Sequence, residues 1–325
     1  MYKLKQIPED FIVEEINDIK LEEKGEFSIF LLKKINLTTE KAVSIVAGRL
    51  NIPRRFFHYS GTKDRNAVTT QVISAKSNKT NSIKEEHLTL EFLGFSDKPA
   101  SLGAHQGNRF IITVRNIDNK PSPIRFFPNL FGEQRFSKNN SEIGRLIVKK
   151  QFKQAVNLIL QNQGDYEIMI KGFIEKAPND YIGALRTIPK RIISIFVHSY
   201  QSELWNAAVE EFIKENHLEN LKGKKLEEYK DKKIPILGFG SEKNDIYENM
   251  MEKQGIKPRD FIIRAIPEIS AEGGERDIIA EIKNLEISDL HDDELNKGKK
   301  KCILDFELGK GSYATEAVRF LCQPR

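Results

Sequence analysis

The chain has 325 residues, 39% of them hydrophobic and 30% charged, with a formal net charge of +5; this describes a soluble globular protein long enough for two domains. Two cysteines, Cys302 and Cys322, exclude a disulfide framework and match no metal-ligand spacing. The longest apolar runs, such as Phe27 to Leu32 with Ser28 inside it, exclude a membrane-spanning helix, and the opening MYKLKQIPEDF has no signal-peptide core, so a cytoplasmic protein is expected.

Pro8 opens a turn before a strand that carries Phe11 and Val13 on one face, and Phe27 to Leu32 reads as a second strand. Thr38 or Thr39 caps a helix that runs to Leu50, with Ala42, Ile45, Val46 and Leu50 at helical spacing, and Asn51, Ile52 and Pro53 end it. An aromatic, basic stretch, RRFFHYS at 54–60, leads into GTKDRNAVTTQ at 61–71. Gly61 permits a sharp turn, and Val68 to Ile73 reads as a strand. Asp64 therefore lies in a loop entering a strand, between Lys63 and Arg65. An anionic carboxylate in a cationic loop suits nucleophilic or base chemistry on a polyanion, whereas the plainer alternative is a surface Asp in a polar turn. Residues 61–150 hold 15 Lys/Arg against 8 Asp/Glu, so the basic excess surrounds this loop, as expected of a polyanion-binding face.

Beyond it, Ile111 to Arg115 alternates as a strand that begins after a turn at Gly107 and Asn108. The segment FPNLFGEQRF at 127–136 reads as a tight hairpin with a packed aromatic cluster around Gly132. Residues 141–160 form a helical run, and a second runs from Ser194 to about Ile213. The charged stretch from Lys222 to Lys233 reads as a solvated loop or edge. Residues 303–322 alternate as a strand, pass Gly309 and Gly311, and continue as a helix from Ala314.

Residues 61–71 match the pattern G-x-K-D-[KR]-x-A-V-T-x-Q at every fixed position, and the segment closely resembles the catalytic loop of the TruD family of tRNA pseudouridine synthases. Other segments resemble that family in the same order: P-x-D-F-x-V-x-E at 8–15, G-N-x-F at 107–110, FPNLFGEQRF with Leu130 where an aromatic is usual, YIGALRT at 181–187, HSYQSELWN at 198–206, IPILGFGS at 234–241, QGIKPRDF at 254–261, GGERDIIA at 273–280, and GSYAT with Arg319 near the end. Gly309 and Lys310 depart from a usual Pro-bearing approach, and Phe320 stands where Glu is usual.

The resemblance implies an α+β fold: a pseudouridine-synthase catalytic domain, with a mixed, mostly antiparallel sheet and flanking helices, built from residues 1–135 and 275–325. A TRUD-type α/β domain would be inserted at 136–274. It implies an isomerase that converts uridine to pseudouridine in tRNA, at uridine 13, with no cofactor, no metal and no membrane partner. Asp64 would be the catalytic aspartate, with Phe11, Asn108, Phe110, Tyr313, Lys5, Lys63 and Arg65 holding the substrate. Whether Asp64 adds to the base or the sugar, or takes a sugar proton, stays open, as does oligomeric state. A non-catalytic RNA-binding protein on the same scaffold would account equally for the basic excess. An Asp-dependent hydrolase fits less well, because no second activating carboxylate or Ser/His pair is spaced for it and the six His are scattered.

Overall fold

The computed structural model describes residues 1–100, 105–161, 165–218, 224–242 and 244–323. The chain divides into two compact units, Met1–Arg125 with Glu281–Arg325, and Phe126–Ala280. The sequence reading set its boundaries at 135 and 275.

The first unit begins with β1 (Phe11–Asn17), β2 (Phe27–Ile35), α1 (Thr39–Leu50), β3 (Phe57–Tyr59), β4 (Val68–Lys76), β5 (Ile83–Glu85), β6 (Leu88–Ser96) and β7 (His105–Ile117). The second unit supplies β8 (Phe126–Pro128), α2 (Asn140–Val148), α3 (Phe152–Ile159), α4 (Asp165–Lys176), α5 (Tyr181–Arg186), α6 (Lys190–Glu215), α7 (Lys224–Glu227), β9 (Lys233–Ile236), α8 (Glu248–Gln254) and β10 (Gly274–Asp277). The chain then returns through β11 (Ile279–Ile287), β12 (His291–Asp292), β13 (Lys300–Gly309) and α9 (Ala314–Leu321).

The sheet of the first unit runs β5-β6-β2-β4-β1-β7-β13-β11, with β3 on β4 and β12 on β13. Only β1 and β4 are parallel among these registers; the others are antiparallel. Helix α1 covers part of one face. Thr38 caps it, its side chain accepting from the Lys41 amide, and Asn51 ends it in the left-handed region at φ 50°. Its stripe of Ala42, Val43, Val46, Ala47 and Leu50 packs on Phe30 and Leu32 of β2, Ile73 and Ala75 of β4, and Leu88 and Leu90 of β6. Each large apolar side chain so buried contributes roughly 1.5–3 kcal/mol, which holds the helix to the sheet.

Strand β7 is longer than its sequence pattern suggests. Gly107 and Asn108 do not turn before the strand; they are paired within it, Gly107 opposite Ile16 and Gly309, Asn108 opposite Glu15 and Leu308. The glycine serves a close approach: a Cβ at 107 would lie 2.3 Å from the Leu308 carbonyl oxygen.

The second unit is helix-rich with a two-stranded antiparallel sheet of β9 and β10. Its core includes α6, where Tyr200, Leu204 and Trp205 are fully buried, and α2 approaches α6 closely enough that a Cβ on Gly144 would meet the Phe196 carbonyl. Three details differ from the sequence reading. The run 141–160 is two helices, because Lys150 takes φ 61° and breaks the ladder between α2 and α3. No hairpin forms at 127–136: β8 ends at Pro128 and a 3-10 helix spans Glu133–Asn139, while Phe131 packs edge-on against Trp205 and Arg276 lies over both rings. Within Lys222 to Lys233, residues 222 and 223 lie outside the described residues, and the remainder includes α7 with its buried Leu226, an element not read from the sequence, while Glu228 and Lys230 to Lys233 are exposed, as a solvated stretch requires.

Gly107→Ala should destabilise the first unit by roughly 1–3 kcal/mol, since the added methyl has no space against backbone. Gly309→Ala, opposite it in register but with nothing within 4 Å of its Cβ position, should shift stability by less than about 0.5 kcal/mol. Thermal melts of the two variants check this; equal melting temperatures would contradict the packing described.

Candidate active site

One face of the first unit's sheet collects most of the candidate residues. Val13 is paired with Phe110 on one side and Thr69 on the other, Phe11 with Ile112, and Glu15 with Asn108. Side chains alternate along a strand, so Phe11, Val13, Glu15, Asn108 and Phe110 all project from the same face. The loop at 60–67, joining β3 to β4, is bonded to that face. Ser60 Oγ donates to Glu15 Oε2 at 2.8 Å, and Lys63 Nζ lies 2.9 Å from the same oxygen while donating to Asn108 Oδ1 at 2.7 Å. The loop backbone is tied as well: the Lys63 amide donates to Thr39 Oγ1 at 3.0 Å, and Gln71 Nε2 donates to the Gly61 carbonyl at 3.0 Å. Thr39 Oγ1 in turn donates to Gln71 Oε1 at 3.1 Å.

Asp64 keeps 35% of its side chain exposed, and its Oδ2 accepts from Lys5 Nζ at 2.8 Å. Lys5 reaches it from the left-handed region, at φ 56°, a conformation that costs a non-glycine residue about 1–3 kcal/mol and persists where the surroundings enforce it. Here they do. Asp10 Oδ2 accepts from the amides of Gln6 and Ile7, Lys3 pairs with Arg115 through both backbone groups, and Asn296 Nδ2 donates to Gln6 Oε1. The Arg115 guanidinium, 3% exposed, bridges Asp10, Asp293 and Glu294. Burial acts to lower its pKa, but the hydrogen bonds it donates to Glu294, Asp10 and Asp293 outweigh that and raise it.

Phe11 and Phe110 are 2% and 6% exposed, so they form the floor of the site. Phe110 meets Phe11 edge-on at 6.1 Å and stacks on Phe306 at 5.7 Å, while the Lys5 ammonium stands 3.9 Å over the Phe11 ring. Tyr313 is half-buried at the N-cap of α9. The pairing of Gly309 with Gly107, and the Lys310 amide donating to the Gln106 carbonyl at 3.3 Å, bring the turn before Tyr313 to the end of β7 that holds Asn108. At the two family departures, strand pairing thus continues through Gly309, and Arg319 finds its carboxylate at Glu316, with its guanidinium over the Phe320 ring.

The structure therefore brings together Lys5, Phe11, Lys63, Asp64, Asn108 and Phe110. Arg65 is exposed on the same loop. The local charge count overstates the basicity available to a polyanion, because Lys63 and Arg115 are committed to carboxylates. Sequence reasoning missed the supports beneath the loop: Thr39 and Gln71 read as cap and strand residues, and Lys34 lies two residues past the strand read at Phe27 to Leu32. Among the described residues, no group of three or more His, Cys, Asp or Glu is placed to hold a metal ion, and no helix is long and apolar enough to cross a membrane.

The mixed, mostly antiparallel fold is shared with a solved structure, the putative tRNA pseudouridine synthase D from Methanosarcina mazei. It superposes with a TM-score of 0.72 at 26% identity, over 98% of this chain and 92% of that one. The fold is that of a pseudouridine synthase, an isomerase. The family model for tRNA pseudouridine synthase D (TruD) matches residues 2–168, 160–236 and 233–320. A probable tRNA pseudouridine synthase D 2 from Methanocaldococcus jannaschii is 32% identical over 98% of this chain and 90% of its own length, and a tRNA pseudouridine synthase D from Aquifex aeolicus is 30% identical over 98% and 97%. The chain belongs to the TruD family.

Two carboxylates of this site each have a lysine partner, and burial separates them. Glu15→Gln leaves the Lys63 ammonium, 9% exposed beside a 2% exposed Glu15, without its counter-charge and should cost roughly 3–5 kcal/mol. Asp64→Asn, at a third exposed, should cost under about 1 kcal/mol. Denaturant unfolding of both variants measures this, and a larger loss for Asp64→Asn would contradict the geometry.

Proposed function

We propose that this chain converts uridine to pseudouridine in tRNA, with uridine 13 as the target, and that Asp64 is the carboxylate that starts the exchange. The observation carrying this reading is the placement of Asp64: a partly exposed carboxylate, held by Lys5 at 2.8 Å, on a loop bonded over a buried aromatic floor. Family membership supports pseudouridine synthesis in tRNA. The first unit is read as the catalytic domain and the second as the inserted one, in a cytoplasmic enzyme.

The reaction is an isomerisation. The N1–C1′ bond of uridine breaks, the base turns, C5 bonds to C1′, and the C5 hydrogen leaves as a proton while N1 gains one. No electrons are exchanged with a partner, so residues alone suffice to bind, orient and move protons. The target base must first leave the stack. Asn108, whose Oδ1 accepts from Lys63, has its amide donors to offer to a uracil carbonyl. Lys5 both orients Asp64 and covers the Phe11 ring, so an incoming base meets a charged surface above an apolar floor. Arg65 adds positive charge at the rim for phosphate.

Asp64→Asn should abolish pseudouridine formation in a tRNA transcript while changing tRNA affinity by no more than about threefold, because many phosphate contacts share the binding. Mass-neutral conversion of uridine, read by nucleoside analysis, and a filter-binding titration give the two numbers. Residual turnover would remove Asp64 from the role, binding without conversion by the wild type would indicate a binding module, and free uracil would indicate a hydrolase.

The aromatic positions separate by burial. Phe110→Ala should lower stability by roughly 3–5 kcal/mol, since its ring is enclosed by Phe11 and Phe306. Tyr313→Ala, half-buried, should leave melting nearly unchanged and slow single turnover, the loss of one stacked base being worth roughly 1–3 kcal/mol. Melting curves set beside single-turnover rates distinguish these outcomes. A stable Phe110→Ala or a fully active Tyr313→Ala would contradict them.

A further inference from the structure

Lys34 is the only lysine among the buried polar residues described, at 0% exposure. A buried ammonium is costly, and an apolar residue of similar length would fill the same space without that penalty. Its place in the fold shows what the cost supports. Phe30, Leu32 and Lys34 follow one another at alternate positions of β2, so Lys34 lies on the face that α1 covers, level with the start of that helix. In the register with β4, Lys34 pairs with Thr69 and Leu32 with Gln71, which puts Lys34 on the same face as the loop supports. Its Nζ donates to the Asp64 carbonyl at 2.7 Å and to the Leu37 carbonyl at 2.7 Å. Leu37 immediately precedes Thr38, the cap of α1. The ammonium thus joins the backbone of the aspartate itself to the rigid helix–strand junction.

We propose that Lys34 is a positioning residue for Asp64: by clamping the Asp64 main-chain carbonyl to the Leu37 carbonyl, it sets where the Asp64 carboxylate stands over the sheet. This rests on the reading of Asp64 as the reacting carboxylate. Further ties reach the loop on either side, at Ser60, Gly61 and Lys63, and Lys5 holds the Asp64 side chain. Lys34 ties the Asp64 backbone itself. Burial pushes its pKa down to about 8, with the Asp64 charge opposing and Lys63 adding to the fall. Either protonation state retains two N–H donors, so the clamp works in both.

Lys34→Met removes the donors and keeps the volume, while Lys34→Gln keeps amide donors on a shorter stem. For each variant, melting, tRNA affinity, the single-turnover rate at saturating tRNA and hydrogen exchange of the amides at 62–66 are measured. Lys34→Met should slow single turnover by roughly 10- to 100-fold, as expected for a shift of about an ångström, with affinity within about threefold and faster exchange in the loop. Lys34→Gln should fall between it and the wild type. A rate within about twofold of the wild type per folded molecule, or unchanged loop exchange, overturns the proposal whatever the melting shows. If Lys34→Met does not fold, Lys34→Gln is judged on the same criteria, and failure of both to fold also overturns it. Asp64→Asn measured alongside keeps the two readings apart, since turnover in that variant removes the role of Asp64 while loop exchange still judges the clamp.

Discussion

Strand β1 is paired on both edges, parallel to β4 and antiparallel to β7, and its two registers decide which side chains meet. The segments 5–15, 60–71 and 105–112 are far apart in sequence, yet Glu15, Lys63 and Asn108 converge because β1 lies between the other two strands. A slip of one residue on either edge would turn Phe11, Val13 and Glu15 to the opposite face and break every contact beneath the loop. The buried Arg115 network guards the same alignment from the other end. It holds Asp10, one residue before β1, to Asp293 and Glu294 near β13, and so fixes the turn from which Lys5 reaches Asp64.

Charge in the site is arranged by depth. Glu15 and Lys63 face each other in a setting where a lone ion would be heavily penalised, and together they hold the loop down. Lys34 lies deeper still, and its ammonium binds the Leu37 and Asp64 backbone carbonyls. Asp64 and Lys5 form the outermost pair, with enough exposure for a substrate to reach the carboxylate. In the proposed reaction this ordering divides the work: the inner groups set geometry, and the outer pair meets the uridine.

Much of this was legible in the sequence where the signal is local. A threonine cap at 38 or 39, the stripe of α1, and the strand-to-helix passage from β13 into α9 follow from residue types at short spacing; the structure agrees and puts the cap at Thr38. The loop around Asp64 was legible through its motif. Tertiary pairing was not. Lys33 and Lys34 are adjacent residues of one type just past the strand read to Leu32, and the packing of α1 on one face and the bond to the Asp64 carbonyl set the second apart. Gly107 read as a turn because the approach of Leu308, some two hundred residues later in the chain, leaves no trace nearby. The helix expected at 141–160 breaks where Lys150 takes φ 61° and the Gln151 amide turns back to the Leu146 carbonyl, a helix end made without the glycine that would have signalled it.

The central claim is that the Asp64 loop serves uridine isomerisation, and the hydrogen on C5 reports that chemistry directly. In tRNA labelled with tritium at uridine C5, formation of the new C5–C1′ bond must release the label to water while the RNA keeps its mass apart from isotope exchange. The account predicts one tritium released for each uridine converted, with no free uracil and an intact chain. Release of uracil, or bound tRNA with its label retained, would contradict it.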